Sequence, residues 1–434
     1  MTISSSLNAG VAGLNANATR LATIADNIAN SGTYGYKRAM ADFQAMVNSG
    51  TSPSGYAAGG VRSSTMRLID ERGPLIASAN PTDIAIDGRG FLPVTDINAI
   101  NGGATSNYPI SLTTTGSFRP DANGVLRTQS GHVLMGWPAA ANGTLPAFPR
   151  DSMSGLEPVR VDRNQFVANP TTEMTFGINL PATETAAGAL GDALNLTVEY
   201  FGNLGTSETL DVTFTPTIPT TGSSNEWTME ITDSATGTVV GEYTLTFDAT
   251  ATAGGTLASV TTVTGGAFDP LTGRVALTLP GGAIDLNIGI PGSSAGMTQL
   301  SSTYSPTAIS KNGSPVGTLV SVEIDDNGYL HAIYDQGFSR RIYQIPVVDV
   351  ANPNGLVSLS DQAYQLSQAS GSFFLWNAGE GPTGSTAGFS REQSATDVAG
   401  ELTSLIQTQR AYSSNAKIIQ TVDEMLQETT NIKR

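Results

Sequence analysis

Along the first thirty residues, apolar or small side chains fall at Leu7, Val11, Leu14, Ala18, Leu21, Ala25 and Ile28. The steps alternate four and three, the spacing that lays a single stripe along a helix and asks a second helix to cover it. Ser4–Ser6 supply N-cap candidates ahead of the first leucine. At the far end Val398, Leu405, Tyr412, Ile419 and Leu426 recur every seven residues, with Leu402 and Ala416 between them. That pattern predicts a helix over about 395–432, although Gln409 and Asp423 interrupt its second set.

Two readings of these helices stay open. In one they are ordinary amphipathic helices packed on a globular core. In the other they bury their seams against each other and are wrapped by further copies of the chain. Met1–Asn30 carries only Arg20 and Asp26 as charges, and its other faces show Asn8, Asn15, Asn17, Thr19, Thr23 and Asn27. A solvent-facing helix normally displays Lys and Glu there. Gly10 and Gly13 interrupt the pattern at roughly 1 kcal/mol each against alanine, a cost that close approach of another backbone would justify.

Between the ends the periodicity changes. Ala39–Val47 is expected to be a short helix with Met40, Phe43 and Val47 on one side, and Asn48–Gly60 a flexible Gly/Ser-rich linker. From Leu75 onward apolar positions alternate, as in Ile84/Ile86, and Asp-Gly and Asn-Gly steps turn the chain between strands. Phe118–Trp137 and the later run from Val320 to Val348 repeat one logic of strand, Asn-Gly turn and strand. They are read as one β domain, residues 75–150 and 303–394, interrupted by an insertion over 151–302. Within the insertion Leu196/Val198/Tyr200, Leu210/Val212/Phe214, Trp227/Met229/Ile231 and Tyr243/Leu245/Phe247 alternate, which predicts an all-β barrel or sandwich. The expected fold is therefore mainly β, with paired, coiled-coil-like terminal helices (1–30 and 395–434), a linker over 31–74, and nested discontinuous β domains.

Composition narrows what such a chain does. At 434 residues, with 48 glycines and 13% charged residues, it suits several turn-rich compact units. A formal net charge of −16 argues against nucleic acid or anionic lipid as partner, and the lysines are Lys37, Lys311, Lys417 and Lys433 alone. Sixteen acidic residues against three arginines make the insertion the most lopsided part. The absence of cysteine excludes disulfides and thiol chemistry. The first twenty residues lack a basic n-region and an apolar core, and no run is long enough to span a membrane, so export would use something other than a cleaved signal.

Each motif with catalytic or ligand spacing also has a plain structural reading. Gly292–Gly296 has nucleophile-elbow spacing with Asp325 and His331 following, but Pro291 precedes it and no helical pattern follows. Gly379, Gly381 and Gly384 have dinucleotide-loop spacing without a βαβ unit and with Pro382 inside. Glu323–Tyr334 imitates a calcium loop through Asp325, Asn327 and Gly328, yet ends on Tyr334 where a glutamate should be. Only His132 and His331 are available to a histidine metal site. The expectation is a non-enzyme without cofactor or metal.

SLNAGVAGLNANATRLATIADNIANSGTYGYKR at the start, PTDIAIDGRGFLPV after the linker and ELTSLIQTQRAYSSNAKIIQTVDEMLQETTNIKR at the end resemble the shared segments of the bacterial flagellar rod and hook proteins. The segment from Ala351 to Gly371 resembles hook rather than rod, and chain length and the presence of an inserted domain favour the same choice. The insertion itself shows no resemblance. The likeness implies a subunit that assembles helically into a curved tube outside the cell, joins rod to filament as a universal joint and surrounds an export channel. It also implies, as partners, further copies of itself, the distal rod protein, the hook cap, the hook–filament junction protein and the flagellar type III export apparatus. Within that reading the uncharged Asn and Thr faces suit a channel wall. Gly32 after Asn30 ends the first helix with a left-handed cap, while Tyr34, Gly35 and Tyr36 form a joint between helices and outer domains. Both helices are expected to be disordered in the free monomer. The runner-up is a distal rod protein, and a surface adhesin or carbohydrate-binding protein stands behind it.

Overall fold

The computed structural model describes residues 3–47, 58–102, 108–162 and 166–432. The chain is mainly β, with one long helix at each end: α1 (Ile3–Ala29), a short α2 (Ile97–Asn101) and α3 (Val398–Ile432). It divides into two compact units. The first comprises residues 1–162, 321–333 and 339–434, and the second 163–320 and 334–338.

In the first unit the front of the chain pairs with its tail. Leu75–Ala77 runs antiparallel to Ser390–Glu392, and Asp83–Asp87 lies between Ser385–Gly388 and Thr115–Ser117. This zipping brings the segments just inside both helices together. Leu92–Asp96 is flanked by Ile110–Thr113 and His132–Pro138. Phe91, Leu112, Met135, Trp137, Tyr364 and Leu375 fill the core beneath. Asp121 and Asp325 each accept two backbone N–H groups of their own turns, and Gly124 and Gly328 supply the positive φ those turns require.

The second unit is two open sheets on one core. Five antiparallel strands follow in chain order: Leu194–Phe201, Ser207–Pro216, Glu226–Asp233, Thr238–Phe247 and Leu257–Thr264. The second sheet is built on Glu173–Leu180, antiparallel to Ser305–Lys311 and parallel to Gly282–Asn287. Alternation decides the faces: Trp227, Met229 and Ile231 point into the core while Glu226, Thr228 and Glu230 face outward. The barrel alternative is corrected here, because neither sheet closes among the described residues. Ser305–Lys311 belongs to this unit, so its boundaries fall later than the expected 151 and 302.

A second correction concerns 39–47. Ala39–Ala45 is a strand, paired residue for residue with Val61–Arg67. A partner across an intervening segment supplies the hydrogen bonds, and local spacing carries no sign of such non-local pairing. Of the expected linker, residues 48–57 lie outside the described residues.

Candidate functional site

The terminal helices run antiparallel along each other. Gly10 faces Ile418 and Ile419, Gly13 faces Asn415, and Asn27 hydrogen-bonds Glu401. A Cβ on Gly13 would stand 2.9 Å from the Asn415 amide, and one on Gly10 3.3 Å from Ile419 Cγ1. The two glycines thus give α3 room to approach, at the expense of helix propensity.

Apart from Ile419 against Gly10, the faces that meet are not the leucine seams. In α1 the buried positions are Gly10, Gly13, Ala16, Asn17, Ile24 and Asn27, and in α3 they are Glu401, Thr408 and Val422. In α1 this stripe stands one residue before the predicted seam, a rotation of about 100°; in α3 Glu401 stands one residue before Leu402, and Thr408 and Val422 one residue before the interrupting Gln409 and Asp423. Leu7, Leu14, Leu21, Ile28, Leu405 and Ile419 are half-buried, while Val11, Val398, Tyr412 and Leu426 are exposed. The expectation that the seams bury each other within one chain is therefore corrected. Small residues win the intramolecular contact because they allow closer approach. Asn17 and Asn27 also leave the expected uncharged outer face: Asn17 donates to the Gly13 carbonyl at 2.8 Å, and both are buried.

A buried polar lock holds the foot of the helix pair. Asn27 uses all its capacity, donating to the Ala39 carbonyl (2.8 Å) and Glu401 Oε1 (2.9 Å) while accepting from Ala39 N–H (2.8 Å) and the Tyr36 hydroxyl (3.1 Å). The single Tyr36 hydroxyl proton is shared between Asn27 and the nearer Asp26 Oδ2, at 2.9 Å, and the Arg67 guanidinium lies 5.0 Å above its ring. Burial first, then the bond to Asp26, pushes the Tyr36 phenol up to about 12.

Beside it Lys37, with no exposed surface, sets its Nζ 2.6 Å from Glu392 Oε1 and 2.7 Å from the Glu71 carbonyl. Burial lowers Lys37 to about 8 against the opposing pull of Glu392. The Glu392 backbone carbonyl accepts from Gly35 N–H (2.8 Å), its Oε1 accepts from Gly73 N–H (2.9 Å), and Ala395 N–H reaches the Tyr36 carbonyl (3.0 Å). Residues next to α1 and residues leading into α3 are thereby tied into one knot.

These contacts correct the joint. Asn30 seals the end of α1 by donating from its backbone to the Asp26 carbonyl and from its side chain to the same carbonyl and to the carboxylate. Gly32 is exposed, outside the left-handed region and with open space around it. Gly35 is the residue at φ +70°, and a Cβ placed on it would stand 2.9 Å from Thr115 Cγ2. Tyr34 remains exposed, with the guanidinium carbon of Arg391 3.7 Å from its ring centre. Asn30–Tyr36 is a turn tied at both ends by hydrogen bonds to Asp26 and Glu392.

The motifs with catalytic or ligand spacing fall in turns, loops and a hairpin. Ser294 lies in a turn of the second unit, and Gly379, Gly381 and Gly384 lie in loops. Asp325 Oδ2 meets His331 Nε2 at 3.0 Å across its own hairpin. Among the described residues no helix is long and apolar enough to cross a membrane. Sequence reasoning missed the Lys37–Glu392 pair. The signal was there in the isolation of Lys37, with no other lysine before Lys311.

Comparison with known proteins covers both helices and the second unit. Family models described as flagella basal body rod protein, flagellar basal body rod FlgEFG protein C-terminal and flagellar basal body protein FlaE D2 domain match residues 7–37, 387–432 and 181–314. The flagellar hook protein FlgE of Brucella suis is 33% identical over 100% of both chains. That of Salmonella typhimurium is 29% identical over 99% of this chain and 100% of the relative. The crystal structure of Helicobacter pylori flagellar hook protein FlgE2 covers 72% of this chain and 98% of that one, at 12% identity and a TM-score of 0.45.

Proposed function

The chain belongs to the flagellar hook protein family, a structural subunit of the hook outside the cell, and from that premise we propose how its ends build the tube. Copies assemble helically. In each, α1 and α3 pair through their small-residue faces, and the leucine seams of that pair are covered by the helices of neighbouring copies. The observation that carries this reading is the 100° offset shared by both helices. It leaves Val11, Val398, Tyr412 and Leu426 exposed on a helix pair whose inner face is already satisfied. Regular apolar stripes of that length on a chain that works in water ask for a cover.

On this reading the helix pairs form the inner tube around an export channel, with Asn8 and Asn15 among the exposed uncharged groups available to its wall. The Lys37–Glu392 and Asn27–Glu401 lock transmits load from the tube to the β units, so bending resides elsewhere than in Asn30–Tyr36. Contacts with the distal rod protein, hook cap, hook–filament junction protein and type III export apparatus complete the proposed partner set. The distal-rod and adhesin alternatives give way to the full-length match with hook proteins.

Electron microscopy of the purified full-length chain beside a version lacking 1–30 and 395–434 tests the assembly. Tubes from the full-length chain alone support it. Tubes from both versions would place the polymer contacts outside the helices and overturn the reading.

A further inference from the structure

The first unit holds a polar cleft of about 820 Å³ whose walls include Tyr34, Arg119, Arg127, His132 and Arg391. Its cations are placed at a disadvantage. Arg119 and Arg127 sit directly opposite each other on paired strands, a like-charge arrangement that destabilises a sheet. Arg119 has no side-chain partner among the described residues. Asp121 and Asp361 are the carboxylates of the lining. Asp121 Oδ2 reaches only to 3.6 Å from Arg127 Nε, and its Oδ1 is occupied by Asn123 and Val125 N–H. His132 Nε2 is buried without a partner. In a chain of net charge −16 this is an unusual concentration of positive charge.

The second unit carries the mirror image. On the outward face of its five-stranded sheet Glu230 lies directly opposite Glu242, again a like-charge pair, and neither has a side-chain partner among the described residues. Asp211 lies on the same face, and Glu230 is opposite Thr213. Each pair weakens the sheet that holds it unless an opposite charge covers it.

We propose that the Arg119/Arg127 pair of one copy receives the Glu230/Glu242 pair of a neighbouring copy in the assembled tube. The proposal rests on the self-assembly reading above and adds a specific outer contact to it. A second copy is the partner because it brings the complementary pair in equal number at every position of a homopolymer. Long Glu and Arg side chains also span the gap between an open cleft and a sheet face.

Charge exchange tests the contact. Arg119→Glu/Arg127→Glu and Glu230→Arg/Glu242→Arg chains, each checked for an unchanged near-UV circular dichroism spectrum, should each need roughly ten-fold more protein to polymerise onto seeds at fixed salt. The chain carrying all four changes should recover to within about two-fold of the unmodified protein. Since the protein lacks cysteine, mixing Arg127→Cys and Glu230→Cys chains and adding a bismaleimide about as long as an Arg–Glu pair should give a crosslinked dimer in polymer and none in dilute monomer. Double variants that assemble normally, or a four-fold variant no better than either double, would overturn the contact while leaving self-assembly intact. Failure of the unmodified chain to add to seeds would overturn self-assembly itself, and this contact with it.

Discussion

Lys37→Met removes an ammonium from a site without solvent and keeps most of its apolar stem. Glu392 would retain the Gly73 N–H at 2.9 Å but lose its 2.6 Å partner, and its Oε2 is already buried without one. The Glu71 carbonyl would lose its donor as well. Breaking one side of a buried ion pair costs about 3–5 kcal/mol, so we expect the first unit to lose about 4 kcal/mol. Lys37→Met combined with Glu392→Gln removes both charges of the pair and preserves the acceptor for Gly73, leaving only the neighbouring Arg72 without the Glu392 carboxylate. That pair of changes should cost only about 1–2 kcal/mol, giving a coupling of at least about 2 kcal/mol. Urea unfolding of the monomer in a Trp227→Phe background isolates the signal, because Trp137 and Trp376 both belong to the first unit. A single-variant loss below about 1 kcal/mol, or simple additivity, would refute the claim that this pair fastens the helices to the β domain.

Gly35→Ala should lower the thermal midpoint of the first unit, since φ is +70° and the new Cβ would meet Thr115 at 2.9 Å, whereas Gly32→Ala should leave it within about 0.5 kcal/mol. Equal effects from the two would contradict the fastened turn. Val11→Asn and Tyr412→Ser should leave monomer melting nearly unchanged while raising the protein concentration needed for tubes roughly ten-fold, read by sedimentation. Asp83 supplies a pH prediction. Burial acts to raise its pKa, but hydrogen bonds from Ser117, Ser78 and Asn80 outweigh that and hold it below 3.8. Its folded value is thus depressed, so its contribution is present above 3.8 and lost as pH falls through the folded value. Asp83→Asn should flatten the acid limb of the stability curve there, and an unchanged limb would contradict this assignment.

The elements legible in the sequence were those with local periodicity. Both terminal helices announce themselves through heptads, and Trp227/Met229/Ile231 announces a half-buried strand, because one buried face imprints a period on its own segment. Pairing across distance leaves no such imprint. Ala39–Ala45 carries spacing that suits a helix, yet Val61–Arg67 makes it a strand. The lock was hidden for the same reason, since Lys37 and Glu392 stand far apart along the chain and meet only because Leu75–Ala77 pairs with Ser390–Glu392. The glycine at 32 read as a cap from composition alone, while the positive φ fell at Gly35, where a close neighbour demands it. Most instructive is the helix face. The large residues form a regular stripe in the sequence, but the single chain spends its small-residue stripe on its own helix pair. Such a division is invisible to a rule that assigns the largest side chains to the nearest partner.

The most direct test of the central claim is a helical reconstruction of the assembled tube at side-chain resolution. The account predicts Leu14, Leu21, Leu405 and Tyr412 enclosed by helices of neighbouring copies, with Gly10 and Gly13 still against α3 of their own chain. Seams left facing solvent or the channel, or α1 paired with the α3 of another copy, would contradict it.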